Sequence, residues 1–311
     1  YTAGKLVLTS GAWIGEAAAW LVSAFREAGF EVTVREDSPR NWYEPISWEI
    51  RAGDGGASGV ALKTAWPASG APSGKGAGAL SLETEPGAVC LTSANPTPES
   101  TAGCAAVLMD GRTSASGWPV VIRLRGTWTV PVFAVSPVET APLRAKLAAG
   151  GRVQVSFALE AKSGNASAHT VVATLPGRDR TKHLLFCAHG DSDSGGPGAN
   201  DNASGVAIVL EIARTVAAAV KSGAVPQPAW DLRFASWGGE IASTREYAAT
   251  LEKDPSRLQA VVNFDQSGFG STKDALYVEP DDVPVNGEIV TLVRSVMADH
   301  AGAGGFPGHA A

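Results

Sequence analysis

From His183 onward the chain alternates short apolar runs with amphipathic stretches, and this alternation restricts its fold more than any other feature. His183-Leu-Leu-Phe-Cys-Ala188 reads as a buried strand, Gly205 to about Val220 as a helix, and Trp230 to Ser236 as a second strand. A helix near Ser243–Leu251 and a strand over Leu258–Phe264 follow. A chain that repeats strand, helix, strand in this way must cover both faces of its sheet, so we expect an α/β fold: a mostly parallel mixed sheet flanked by helices. Upstream, residues 16–28 place Trp20, Leu21, Ala24 and Phe25 on one helical face, Gly29 stops that helix, and residues 30–35 alternate as a strand. Residues 51–78 are rich in Gly, Ala, Ser and Pro and read as loop and turn. Short β-like pieces then occur at 88–92, 105–109, 130–135 and 153–158, with one helix over Thr140–Ala149. They form a smaller, separate β-rich unit.

With 311 residues, 44% of them hydrophobic and 18% charged, the chain can bury a large core and has the balance of a soluble globular protein. A net charge of −6 and the lack of a Lys/Arg run argue against a nucleic-acid surface. No apolar stretch reaches the ~18 residues expected of a membrane span. The sequence starts at Tyr1 without a leader, which suggests a processed, trimmed or partial chain. Three cysteines are too few for a disulfide framework. Cys90 and Cys104 either close a short loop in an exported protein or are small buried side chains, and Cys187 reads as core. Nothing in the sequence speaks to oligomeric state.

The chemistry gathers at strand ends. His189 closes the first strand of the α/β region, Glu240 and Asp265 lie just beyond the next two, and Asp201 sits at the far end of the glycine-rich loop after His189. In open α/β sheets ligands bind at this carboxyl edge, where positions distant in sequence converge. One imidazole nitrogen with carboxylate oxygens suits zinc or a related divalent ion. Asp191 is placed to hold the other nitrogen of His189. Each residue also has a plainer reading: a polar strand end for His189, a helix N-cap for Asp201, a turn cap for Asp265, a solvated surface for Glu240.

Other candidates carry less. Gly74-Lys-Gly-Ala-Gly78 lacks the ending and the preceding strand of a phosphate loop, and no Gly-x-Ser-x-Gly elbow is present. Trp42, Tyr43 and Trp48 could line a substrate cleft, although core packing is the commoner duty of such residues. His169 and His183 read as strand-margin residues.

The text His189-Gly-Asp191, Gly196-Pro-Gly-Ala-Asn-Asp-Asn-Ala-Ser-Gly205, Phe234-Ala-Ser-Trp-Gly-Gly-Glu240 and Asn263-Phe-Asp265 resembles the zinc aminopeptidases of metallopeptidase family twenty-eight, whose kin include glutamate carboxypeptidase and the transferrin receptor. The resemblance is clear over about residues 165–270 and weaker over 10–36. It implies a catalytic domain over 1–44 and 163–311, C-terminally incomplete, with a protease-associated domain inserted over 45–162. Carried over by position, His189 and Asp265 would bind one zinc, Asp201 would bridge to a second, and Glu240 would be the general base. The resemblance further implies a peptide or protein substrate, a cis peptide after Asp201, and export to the periplasm or exterior.

The family pattern breaks at two places. A second Glu, a ligand of the second metal, normally follows the base, and here Ile241 stands there. That metal's His ligand normally lies well beyond the Asp265 position, where only His300 and His309 are available. The first zinc site is therefore complete by resemblance and the second is not. A one-metal aminopeptidase, a centre in which Glu240 becomes a ligand, and a degenerate binding protein all fit. A single-zinc glutaminyl cyclase is weakened because those enzymes keep the second Glu.

Overall fold

The computed structural model describes residues 11–55, 59–113, 117, 119–120, 122–192, 198–251, 253–267, 276–278, 286–301 and 308–310. In chain order the elements are α1 (Gly11–Glu27), β1 (Glu31–Glu36), β2 (Arg40–Gly53), β3 (Val60–Ala61), β4 (Trp66–Pro67), β5 (Gly74–Ser81), β6 (Val89–Thr92), β7 (Ala106–Met109), β8 (Val132–Ala134), α2 (Pro137–Ala148) and β9 (Gln154–Ala166). There follow β10 (His169–Leu175), β11 (Asp179–His189), α3 (Gly205–Lys221), β12 (Trp230–Trp237), α4 (Glu240–Leu251), β13 (Leu258–Asn263), β14 (Leu276–Val278), α5 (Gly287–Ala301) and β15 (Gly308–Ala310).

The sheet that matters for function has five strands in the order β1-β10-β12-β11-β13. Strands β12, β11 and β13 are parallel; β10 pairs antiparallel with β12, and β1 pairs antiparallel with β10 at the edge. Side-chain alternation assigns its two faces. Phe186, Ala188 and Phe234 pack with Leu21, Ala24 and Phe25 of α1 and Val206, Val209, Leu210 and Ala213 of α3. Leu185, Cys187, Ala235 and Trp237 face the other way, with Tyr247 of α4 against them. The result is the expected layered α/β arrangement, a mixed sheet covered on both faces.

A second sheet has eight strands in the order β3-β2-β9-β5-β6-β7-β8-β4. Its core contains Val89, Leu91, Val107, Leu108, Val132 and Phe133, and Cys90 is disulfide-bonded to Cys104. Of the two readings left open for these cysteines, the bridge is the one observed. Cys187 is a free, buried core residue.

Several expectations need correction. Of the 51–78 segment read as loop and turn, residues 74–78 belong to strand β5, antiparallel to β9, and the short strands β3 and β4 also lie within it. A Cβ at Gly76 would lie 3.0 Å from the Phe157 ring and one at Gly78 2.5 Å from the Gly87 carbonyl oxygen. The strand therefore excludes the large side chains that would have revealed it. β2 and β9 pair from Arg40–Ala166 to Gly53–Gln154, with a register shift between Pro45 and Ser47, and so run well beyond the apolar 153–158 segment. Tyr43 is buried in the second core and Trp48 packs against it, stacked edge-on to Trp66. Trp20 is 43% exposed and lies off the buried face of α1. His183 is no strand-margin residue: it is fully buried within β11, 3.1 Å from the Tyr247 hydroxyl. Finally, α3 with its preceding turn, Ala199–Lys221, is long and apolar enough by length and composition to cross a membrane, with a mean hydropathy of 1.7. Its buried residues pack into the five-stranded sheet.

Candidate metal centre

Three strand exits meet at the carboxyl edge of the parallel strands. His189 is in register with Trp237, and Cys187 with Asn263. The Gly190 amide donates to the Trp237 carbonyl at 2.8 Å and the Phe264 amide to the Cys187 carbonyl at 2.8 Å. The chain therefore leaves β11, β12 and β13 at one level, and the next few residues of each share one crevice. Gly190 suits this place because a Cβ there would come within 2.8 Å of the Ser236 hydroxyl.

His189 is 6% exposed and held by its own loop. Its Nδ1–H donates to the Asp191 carbonyl oxygen at 3.0 Å and faces Asp191 Oδ1 at 3.2 Å. That leaves Nε2 aimed at two carboxylates, 3.1 Å from Asp201 Oδ1 and 3.5 Å from Asp265 Oδ1. The three donor atoms lie within 4.8 Å of one another. Donors about 2.0–2.2 Å from one tetrahedral ion are about 3.3–3.6 Å apart, and the two separations from Nε2, 3.1 and 3.5 Å, lie close to that spacing. The electrostatics agree. Burial disfavours the imidazolium, but the Asp191 hydrogen bond and the charges of Asp191, Asp265 and Glu240 outweigh it, pushing His189 up to about 9. The field at this point favours positive charge.

Asp201 does not cap α3. The turn before that helix, Ala199–Ser204, is irregular at Asp201 and Asn202, the helix follows Ser204, and the Asp201–Asn202 peptide is cis. Asp201 and Asp265 are partly solvent-exposed, as an accessible centre requires.

Glu240 opens α4 and stays outside the converging triad, although its charge reaches His189. Its backbone N–H donates to Asp191 Oδ1 at 2.8 Å, so one carboxylate orients the imidazole and anchors the start of α4. The preceding glycines are tied down by a buried network absent from the sequence reading. Asp37 Oδ2 accepts from Thr170 at 2.8 Å and from Ser243 at 2.5 Å, and those hydroxyls accept the Gly238 N–H at 3.1 Å and the Gly239 N–H at 2.7 Å. Gly238 is required there, since a Cβ would lie 2.9 Å from Asp37 Oδ2. Asn202 and Gln266 are further residues missed from sequence: both touch the loops that carry the carboxylates, and only their nearness to Asp201 and Asp265 could have drawn attention to them. Ile241 is 58% exposed beside Glu240 and offers no donor atom. His300 lies in α5 and His309 in β15, but their side chains fall outside the described residues.

The model of Peptidase family M28 matches residues 170–301, which include all four strand-end candidates. Leupeptin-inactivating enzyme 1 of Streptomyces exfoliatus is 35% identical over 124 residues, 39% of this chain and 27% of that protein. Leucine aminopeptidase 2 of Trichophyton rubrum is 27% identical over 137 residues, 43% of this chain and 26% of that protein. The aligned region thus spans about a quarter of the length of these curated relatives. Among solved structures, a peptidase M28 precursor from Shewanella amazonensis superposes with a TM-score of 0.72 at 16% identity, covering 96% of this chain and 74% of that one. BSAP, a zinc aminopeptidase from Bacillus subtilis, gives 0.63 at 20% identity, covering 99% and 76%. At these identities the likeness establishes the fold.

Proposed function

We propose that this chain is a zinc-dependent hydrolase that removes N-terminal residues from peptides. The observation that carries the reading is the convergence of His189 Nε2, Asp201 and Asp265 on one point at the carboxyl edge of the sheet, within the segment matched by the M28 model. Zinc held by these three residues supplies Lewis-acid chemistry, polarising a scissile carbonyl and acidifying a water. The chain's own groups do the rest. Asp191 keeps the His189 proton on Nδ1 and so leaves Nε2 to face the ion. Glu240, fixed at the first turn of α4, takes a proton from the attacking water on its carboxylate and passes it to the leaving amine.

Among the described residues, the donor set offers ligands for one ion. Ile241 contributes no ligand, and the outer oxygen of Asp201, Oδ2, accepts from the Gln266 side-chain amide at 3.3 Å. The β-rich unit over 45–162 is, on this reading, a protease-associated-like insertion, and 1–44 with 163–311 form the peptidase domain. The Cys90–Cys104 bridge fits an exported protein.

The test pairs metal analysis of the purified protein with hydrolysis of aminoacyl anilides before and after chelation. One zinc per chain and chelator-sensitive, zinc-restorable hydrolysis are expected, and below about 0.2 zinc per chain the proposal fails, because a preformed ligand set retains its ion. Ile241 favours a second reading, a binding protein that kept the fold and lost activity. If that reading holds, wild type and E240Q are equally inactive on every aminoacyl anilide while zinc stays bound.

A further inference from the structure

One buried side chain ties the two metal-facing carboxylates together. Asn202 is 1% exposed and follows Asp201 directly. Its Nδ2 donates to the Phe264 carbonyl at 2.9 Å, and its Oδ1 accepts the Gln266 N–H at 3.3 Å. These are the residues before and after Asp265, so a single amide grips the backbone on both sides of that ligand. The same Oδ1 accepts the Gly205 N–H at 3.0 Å, which anchors Asn202 to the start of α3. Gly205 leaves no room for displacement, since a Cβ there would stand 2.4 Å from Asn202 Oδ1 and 2.3 Å from the Phe264 carbonyl oxygen.

Gln266 completes the link from the other loop. It is the one described non-glycine residue with a positive φ, 46°, a left-handed conformation disfavoured by a Cβ. In this conformation its backbone N–H meets Asn202 and its side-chain Nε2 donates to Asp201 Oδ2 at 3.3 Å. The loop after β11 thus grips the ligand after β13, and the loop after β13 orients the ligand after β11.

We infer that Asn202 and Gln266 are positioning residues that set the separation and orientation of Asp201 and Asp265, and so the zinc affinity of the centre. The inference rests on the metal-site reading above. Neither residue touches the ion; both act through the carboxylates. Small displacements of a ligand weaken metal binding steeply, and orienting partners of metal ligands are commonly worth 10–100-fold in affinity.

The experiment is a competitive zinc titration of the metal-free full chain against a chromophoric chelator, alongside thermal melting of the same metal-free samples. N202D is nearly isosteric and keeps an acceptor for Gly205 and Gln266 but presents an oxygen to the Phe264 carbonyl. Q266G retains the left-handed backbone without strain and removes only the bond to Asp201. We expect zinc affinity to fall about tenfold or more in both N202D and Q266G, with the metal-free melting temperature of Q266G unchanged. Loss of affinity without loss of stability is a result that a merely structural role would not produce. Wild-type zinc affinity in Q266G overturns the role of Gln266, and wild-type affinity in both variants overturns the inference while leaving the metal site intact. If N202D does not fold, Q266G decides alone. Failure of the wild-type chain to bind zinc would overturn the metal-site reading and this inference together.

Discussion

The two larger sheets of this molecule each carry a cluster built around aspartate, and the two clusters are chemically opposite. In the eight-stranded sheet, Asp110 is buried and fully satisfied. Its carboxylate accepts from Ser93 at 2.7 Å, Thr140 at 2.6 Å, and Arg144 at 2.8 and 2.9 Å. Burial alone would raise its pKa, but the bonds from Arg144, Thr140 and Ser93 and the Arg144 charge prevail and lower it. In the five-stranded sheet, His189 Nε2, Asp201 and Asp265 turn Lewis-basic atoms toward one another, with Nε2 3.1 Å from Asp201 Oδ1 and 3.5 Å from Asp265 Oδ1. The first carboxylate is enclosed by donors and a guanidinium, whereas on the proposed reading the second pair faces a metal ion. Residue type alone does not separate the two, since Asp110 and Asp265 are both aspartates just beyond a strand end.

That contrast can be broken experimentally. The largest effect belongs to Glu240: E240Q should lower hydrolysis by about 10²–10⁴-fold with zinc content unchanged, as metal analysis and steady-state kinetics on one preparation would show. Activity within threefold of wild type would remove Glu240 from the chemistry. D110N should do the reverse, costing about 2–3 kcal/mol in denaturant unfolding of the second sheet while zinc affinity stays put. A drop in zinc binding in D110N would mean that the two clusters are coupled.

A third test concerns His183. Its burial, then the charges of Arg233 and Arg257, push its pKa down to about 4 from 6.5, against a smaller opposing pull from Asp231. Because the unfolded chain binds this proton more tightly, the contribution of His183 is complete above pH 6.5 and is lost as pH falls from there toward 4, by at most about 3 kcal/mol. Melting temperatures of wild type and H183Q should converge on acidification through that window, and parallel curves would contradict the assignment. The smallest effect is expected of S243A, which frees the Gly239 N–H beside Glu240. We expect a loss of about 1 kcal/mol in stability and a several-fold lower kcat with little change in KM. A KM effect alone would place Ser243 in substrate binding.

Much of this molecule is legible in its sequence. Apolar runs of strand length alternating with amphipathic helices demanded a covered sheet, and the polar residues following those runs had to collect at its carboxyl edge. His189, Asp191, Asp201 and Asp265 could therefore be named together, and they meet. The omissions have a common physical cause. Strand β5 is built of glycine and alanine because neighbouring groups occupy the space a side chain would need, so it shows no hydrophobic period. The polar ends of β2 and β9 are held by backbone pairing that side-chain patterning does not register.

The sequence by itself determined which groups could do chemistry and on what kind of scaffold, because hydrophobic periodicity and donor type are local properties. Tertiary structure alone decided which aspartates converge with His189 and which are enclosed by donors. The reach of Asn202 across to Asp265, the grip of Asp37 on the turn before Glu240, and the enclosure of Asp110 by Arg144 are hydrogen bonds between residues far apart in the chain. Such pairings depend on strand register and loop closure, and no run of neighbouring residues encodes them.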